Sequence, residues 1–267
     1  MKQRGLLIAN PNATSTSSGV RDVITRALSH EIDLEVITTT SRGHAEELAA
    51  ATEGIELLIT LGGDGTINEV VNGMLNSGRA DLPMLATIPG GSANVMARAL
   101  GFPNDAIEAT GMILESLRTD ASHHVGLGNA VFVAVETGIE HSKWFTINAG
   151  VGIDADVVAA MEAQREAGRA ASGTRYAWTA FQEYMRDVGR RNQPKMSLQL
   201  PGQDPVEGLA MVIVQNTAPW TFLGPFPINP CPRASFELGL DVFAPHSLGL
   251  ASTTRYEIGR ASCRERV

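Results

Sequence analysis

Leu57-Leu58-Ile59-Thr60-Leu61-Gly62-Gly63-Asp64-Gly65-Thr66-Ile67-Asn68-Glu69 decides the fold. Leu57 to Leu61 is an apolar, β-branched run of the kind that forms a buried strand. It breaks at Gly62-Gly63-Asp64-Gly65, and Ile67, Val70, Val71 and Met74 then recur at helical spacing. A strand that passes through a tight turn straight into a helix aims backbone N–H groups, and the positive end of the helix, at an anion. Glycines let that turn approach a phosphate closely and accept positive φ. Asp64 can hold Mg²⁺ directly or through water, and Thr66 can donate to a phosphate oxygen. The plainer alternative is a strand–helix turn with Asp64 as a cap. The loop is not of the Walker type, because no Gly-Lys-Ser/Thr follows it.

The same logic extends outward in both directions. Met84–Ile88 reads as a strand stopped by Pro89-Gly90-Gly91-Ser92-Ala93-Asn94. A helix from about Ala93 follows, and Asn104-Asp105 offers a cap for another through Leu117. Upstream, Leu6–Ala9 is a short strand ending at Asn10-Pro11-Asn12. Val20, Val23, Ile24, Ala27 and Leu28 repeat at helical spacing, Leu34–Thr38 alternates as a strand, and His44–Thr52 reads as helix. Repeated strand–loop–helix units predict a Rossmann-like parallel sheet covered by helices. Three loops of small polar residues then fall at the carboxyl ends of strands, where such sheets bind ligands. Together they favour a nucleotide site.

The second half changes character. Val131–Val135, Phe145–Ile147, Lys195–Leu200, Leu209–Gln215 and Ser235–Val242 are strand-like. Asp154–Ala163 and Tyr176–Val188 read as helices, and Pro219–Pro232 as a proline-rich loop. The expected architecture is α/β, with a parallel nucleotide-binding domain over 1–122 and a mostly antiparallel β domain over 123–257. Ile258–Val267, IGRASCRERV, resembles the in-frame translation of a short sequencing adapter. Residues 258–267, Cys263 among them, are therefore expected to be foreign to the fold, and the natural protein to continue differently.

Composition narrows the function. Hydrophobic residues make up 43% and charged residues 19%, which suits a chain with a packed core. The net charge of −8 and the lack of a long basic stretch argue against nucleic acid as a partner. The N-terminal apolar run is too short for a signal peptide, and no run approaches the roughly 20 apolar residues of a membrane span. Two cysteines, Cys231 and Cys263, make no disulfide framework. The expected location is the cytoplasm.

Asn10-Pro11, GGDGTINEVVNG (62–73) and PGGSANVMARALG (89–101) resemble, in order and spacing, the catalytic domain of the soluble bacterial diacylglycerol kinase-type lipid kinases. INAGVGIDADV (147–157) resembles a Gly-rich segment of the family's second domain, so the likeness runs to about Arg255. GGDGT alone is less specific, since NAD kinases and phosphofructokinases carry related loops. The Pro-Gly-Gly-Ser-Ala-Asn loop sets the lipid kinases apart.

The resemblance implies an ATP site. Asn10, Pro11, Asn12, Ala13 and Thr14 would form its first loop, and Thr39 would contact the nucleotide. Gly63, Asp64, Gly65, Thr66, Ile67, Asn68 and Glu69 would cradle the phosphates, with Ser92 reaching them from the Pro-Gly-Gly-Ser loop, the third of the three. A structural Mg²⁺ would be held by Glu237 with the carbonyls of Ala234 and Gly239. The chain departs from the family there, since Leu238 replaces a usual Gly. Val95 and Gly126 stand where relatives commonly have Asp. The family's Asp-Gly-Glu motif, whose Glu is the proposed base, does not occur after Asp241, and an impaired, C-terminally truncated enzyme is expected.

The implied reaction moves the γ-phosphoryl group of ATP, with Mg²⁺, to a lipid hydroxyl. Diacylglycerol giving phosphatidic acid, in phospholipid biosynthesis, is the leading substrate. A sphingoid base, another lipid, NAD, or a non-catalytic nucleotide or lipid binder remain alternatives. Asp154 is a candidate for the lipid head or a helix cap. Trp220, Phe222 and Phe226 are candidates for membrane contact or for local packing. A lipid substrate implies transient contact with the inner membrane face. A homodimer is compatible with the sequence, which shows no heptad or symmetric patch to decide the oligomeric state.

Overall fold

Hydrophobic patterning and turn chemistry between them build the first half. The computed structural model describes residues 2–11, 13, 17–152, 196–223 and 225–246. Asn12, Thr14, Asp154, the helices expected over 154–163 and 176–188, and the segment 258–267 lie outside the described residues. The chain runs β1 (Arg4–Ala9), α1 (Ser18–Glu31), β2 (Asp33–Thr38), α2 (His44–Ala51), β3 (Leu57–Gly62), α3 (Asp64–Asn76), β4 (Met84–Pro89), α4 (Val95–Ala99) and α5 (Ala106–Thr119). Ser17 caps α1, its hydroxyl accepting from the Val20 N–H. Asp105 caps α5, one carboxylate oxygen accepting from the N–H groups of Ile107 and Glu108, each at 2.9 Å. The helix expected from about Ala93 shrinks to α4. Asn94 sits in the left-handed region at φ 49°, which delays its start, and Gly101 at φ 84° follows its end.

The four strands form one parallel sheet in the order β2-β1-β3-β4. Successive side chains of a strand point to opposite faces, and here both faces are covered. Leu7, Ala9, Leu57, Ile59 and Leu61 pack with Ile24 and Leu28 of α1 and with Ala106 and Ile113 of α5. Leu6, Ile8 and Leu58 pack on the other side with Ala45 and Ala49 of α2 and Val70 and Met74 of α3. Continuous apolar runs are what a doubly covered strand requires. Each fully buried Leu or Ile contributes about 1.5–3 kcal/mol, so β1 and β3 are rigid mounts for the loops at their ends. Strand order reverses between β1 and β3, the switch point at which open α/β sheets bind ligands.

Two compact units divide the chain. One holds Met1–His124 with Asn129–Thr146, the other Val125–Gly128 with Ile147–Val267. In the first unit β5 (Gly128–Val133) pairs with β6 (Glu140–Phe145). Six residues between them permit only an antiparallel hairpin, since a parallel return needs a crossover of about a dozen residues or more. Ala134 donates to the Ile139 carbonyl at 2.9 Å to close it.

In the second unit β10 (Met211–Gln215) lies between β7 (Asn148–Gly152) and β13 (Asp241–Phe243), antiparallel to both. β8 (Met196–Leu198) pairs with β9 (Val206–Leu209), and β11 (Thr221–Leu223) with β12 (Phe226–Ile228), again antiparallel. The mostly antiparallel expectation for this half holds. Its boundaries differ in four places. Of the strand expected over Phe145–Ile147, Phe145 closes β6 and Thr146-Ile147 bend between β6 and β7. Leu209–Gln215 is broken at Ala210, whose N–H turns to the Pro245 carbonyl at 2.9 Å. Pro219–Pro232 is not wholly loop, because its apolar centre pairs as β11 and β12. Ser235–Leu240 is turn rather than strand: Leu238 N–H donates to the Ser235 carbonyl at 3.1 Å and Gly239 takes φ 81°.

Candidate functional site

Three loops leave the carboxyl edge of the parallel sheet and touch one another through backbone. Asn10, after β1, donates its N–H to the Leu61 carbonyl at 2.9 Å and its side-chain Nδ2 to Thr66 Oγ1 at 3.1 Å. Ala13 N–H returns to the Asn10 carbonyl at 3.1 Å, which curls the first loop back. Gly90, after β4, donates to the Gly62 carbonyl at 2.8 Å. Here glycine is a requirement of space. A Cβ on Gly91 would stand 2.7 Å from the Gly63 Cα, and one on Gly90 would stand 3.1 Å from the Gly62 Cα and 2.9 Å from the Ala13 Cβ. Any side chain there would push the second and third loops apart.

The helix that begins in this cluster is α3. Gly63 is its N-cap and brings no side chain to its first N–H groups. Thr66 and Ile67 N–H groups turn back to the Gly63 carbonyl at 3.0 and 3.2 Å. The N-cap glycine thus leaves the opening turn without a side-chain cap of its own, and the Asp64 carboxylate there meets only its own N–H besides those of Val95 and Met96. A helix start left in this way is a cradle for an anion, and a Cβ would fill part of it.

Asp64 serves a different helix from the one it starts. Its Oδ2 accepts from the Val95 N–H at 3.1 Å and its Oδ1 from the Met96 N–H at 2.9 Å. It caps α4 from outside, a tertiary version of the cap reading, and so locks the start of α3 to the end of the third loop. Burial pushes its carboxyl above the ordinary range, and the Met96 and Val95 N–H groups oppose that rise only in part. Among the described residues no group of three His, Cys, Asp or Glu could hold a metal ion. The donor set therefore fits an ion carried chiefly by nucleotide phosphates and water, with Asp64 as its one nearby carboxylate.

Two further residues shape the third loop without a role foreseen in the sequence. Asn94, only 2% exposed, accepts at Oδ1 from the Gly91 N–H at 2.8 Å and donates to the Gly91 carbonyl at 2.9 Å and to Asn104 Oδ1 at 2.8 Å. Its left-handed conformation is one that Asn tolerates better than most residues. The signal available in sequence was an Asn closing a Gly-Gly loop. Asn104, expected to help cap α5, supports Asn94 instead.

The remaining candidates are placed as follows. Pro11 and Ser92 are exposed on the first and third loops, and Gly65 is exposed on the first turn of α3. Thr39 is buried at the end of β2, its N–H donating to the Ala9 carbonyl at 2.9 Å. Ile67 puts its side chain in the interior, so only its backbone can face a ligand. Glu69 is half-buried on α3. Asn68 turns to β6, its Oδ1 accepting from the Thr146 N–H at 3.2 Å.

In the second unit the Ala234 carbonyl accepts from the Ala218 N–H at 3.1 Å, while Glu237 and Gly239 are exposed on the same turn. Gly126 has no room for a carboxylate: its N–H donates to the Phe236 carbonyl at 3.0 Å, and a Cβ would lie 2.6 Å from that oxygen.

Residues 4–129, which carry all three loops, match the diacylglycerol kinase catalytic domain. The match spans just under half of this chain. A diacylglycerol kinase of Staphylococcus carnosus is 33% identical over 119 residues, 43% of this chain and 38% of that protein. One of Staphylococcus aureus is 32% identical over 143 residues, 52% of this chain and 44% of that protein. The chain thus matches less than half the length of these curated relatives. Two solved structures described as diacylglycerol kinases of Bacillus anthracis share the fold. One has a TM-score of 0.66 at 23% identity, over 97% of this chain and 79% of its own; the other has 0.67 at 24%, over 96% and 80%.

Proposed function

We propose that this chain, in which residues 4–129 match the diacylglycerol kinase catalytic domain, is an ATP-dependent lipid kinase of that family. It transfers the γ-phosphoryl group of ATP to a lipid hydroxyl, with diacylglycerol the leading acceptor and phosphatidic acid the product. The observation that carries the reading is the close backbone approach of Gly63 and Gly91 at the carboxyl ends of β3 and β4, beside the start of α3 and next to the switch point between β1 and β3. Phosphoryl transfer asks a protein chiefly for positioning and charge neutralisation. α3 supplies N–H donors to the phosphates. Asn10 fixes the Thr66 hydroxyl, Asp64 holds the third loop against the second, and Asn94 sets that loop's shape. Mg²⁺, bound with the nucleotide near Asp64, would screen charge on the phosphate oxygens. In the reaction the bond from the γ-phosphorus to the β,γ-bridging oxygen breaks, ADP leaves with that oxygen and the bonding electron pair, a new bond to the lipid oxygen forms, and the hydroxyl proton passes to solvent.

No helix among the described residues is long and apolar enough to cross a membrane. The enzyme would reach its lipid by transient contact with the inner membrane face, where Phe226, 72% exposed at the start of β12, offers an aromatic side chain. A second reading is a non-catalytic nucleotide binder. It is favoured by Val95, buried where relatives commonly have Asp, and by the sterically closed Gly126 position.

The deciding experiment incubates the chain with γ-labelled ATP, Mg²⁺ and diacylglycerol in mixed micelles. Labelled phosphatidic acid supports the kinase. Saturable ATP binding without label transfer to diacylglycerol, a sphingoid base or NAD selects the binder.

A further inference from the structure

α3 is tied to the rest of its unit by two asparagine side chains, separate from the contacts that build the phosphate cradle. Asn72 lies two turns into the helix and is 1% exposed. Its Nδ2 donates to the Asn68 carbonyl at 2.8 Å and to the Trp144 carbonyl at 2.9 Å, and its Oδ1 accepts from the Trp144 N–H at 2.9 Å. One carboxamide thus pairs both backbone groups of Trp144, as a neighbouring strand would. One helical turn earlier, Asn68 Oδ1 accepts from the Thr146 N–H at 3.2 Å. Trp144 and Thr146 alternate along the chain, so the two asparagines form a two-rung ladder between a helix and the backbone at the end of β6. Lys143 adds an ion pair to Glu46 of α2 at 2.9 Å.

A carboxamide is the right group for this task. Asp at position 72 would set acceptors against two carbonyls, and Ala would take from the half-buried Trp144 N–H and carbonyl their Asn72 partners. Leu would serve packing as well as Asn and form no rung. Nothing about a helix interior asks for Asn, which has only middling helix propensity. The residue is there for its two-sided hydrogen bonding.

We propose that Asn72, assisted by Asn68, is a positioning residue for phosphoryl transfer. It makes the phosphate-cradling helix and the segment Trp144–Thr146 move as one body. That segment continues covalently into Ile147 and β7, the first strand of the unit that the kinase reading assigns to the lipid. Nucleotide engaged at the start of α3 is thereby registered along the helix at the root of the acceptor-binding strand. The inference rests on the proposed ATP site, and its test separates the two.

The test uses the full chain and the variants Asn72→Ala, Asn72→Asp and Asn68→Ala. Backbone amide exchange is followed at Trp144 and Thr146 with and without ATP and Mg²⁺, and steady-state transfer to diacylglycerol is followed in parallel. In the wild type, nucleotide should slow exchange at both amides. Asn72→Ala should abolish that response at Trp144, and Asn68→Ala, which removes a single half-buried bond and keeps the fold, should abolish it at Thr146. ATP affinity should change less than about twofold, while kcat falls about 100-fold in the Asn72 variants, the scale of an ångström of misplacement. A thermal shift with kcat and the exchange response unchanged would mark the pair as merely structural and overturn the proposal. ATP binding by the wild type with no response at either amide would overturn it too. Binding and a response without turnover would overturn the role in phosphoryl transfer and leave only the mechanical link between helix and segment. Failure of the wild type to bind ATP would remove both.

Discussion

At the scale of single residues, the site depends on what is absent from glycines and on what one carboxylate holds. Gly91→Ala should uncouple the second and third loops, because its Cβ would meet backbone 2.7 Å away rather than a flexible side chain. We expect ATP affinity to fall at least tenfold, read by titration calorimetry, with the chain still folded by circular dichroism. Asp64→Ala should cost about 0.5–2 kcal/mol as a lost helix cap, measured by urea unfolding, along with most nucleotide affinity. The Asp64 carboxyl also sets a pH dependence. Its folded pKa is raised, mainly by burial, so between the ordinary carboxylate value and that raised value the folded state binds more protons than the unfolded one. Stability from this group therefore grows as pH falls through the raised value and levels off below the ordinary one. Compared with Asp64→Asn, the wild type should gain Tm on acidification across that window; a difference that stays constant with pH would sink the assignment. Gly62 to Thr66 was legible in sequence as an anion-binding turn. That Asp64 would cap α4 was not, because the contact joins residues 31 and 32 positions apart in the chain, and no periodicity encodes it.

At the scale of elements, helices and parallel strands were legible because each is a local pattern buried on a known face. Leu57–Gly62 is buried throughout and announced itself as a continuous apolar run. The antiparallel half was read less well. Ser235–Leu240 carries strand-like residues, yet local hydrogen bonds and Gly239 bend it into turns. The apolar centre of Pro219–Pro232 pairs despite its prolines, since among the described residues the β11–β12 ribbon is two-stranded and each of its strands is an edge strand. Helix packing offers a separate prediction. Gly73 sits where α3 crosses α2, and a Cβ there would run into the Glu46 carbonyl and reach 2.9 Å from the Ala49 Cβ. Gly73→Ala should destabilise the first unit by about 1–3 kcal/mol through overpacking, measured by thermal or urea unfolding. ATP affinity of the folded fraction should stay near that of the wild type, in contrast to Gly91→Ala. The Asn68–Asn72 ladder was also hidden, since an Asn on a helix reads as surface until its tertiary partner is seen.

At the scale of the whole molecule, the account joins a doubly covered parallel sheet, a switch point and three loops into one phosphate-binding edge. The domain match and the geometry meet on the same residues, 10, 11, 13, 62–66 and 89–95, all inside the matched stretch 4–129. What the sequence carried best was this edge, because glycine-rich turns at strand ends are both local and chemically specific. The central claim is therefore that this edge binds the phosphates of ATP. Titration calorimetry of ATP with Mg²⁺ into the wild-type chain, repeated with Gly91→Ala, tests it most directly. The account predicts saturable binding of one nucleotide per wild-type chain and at least tenfold weaker binding to the folded variant. Equal affinity in the two proteins, or no binding to the wild type, would contradict it.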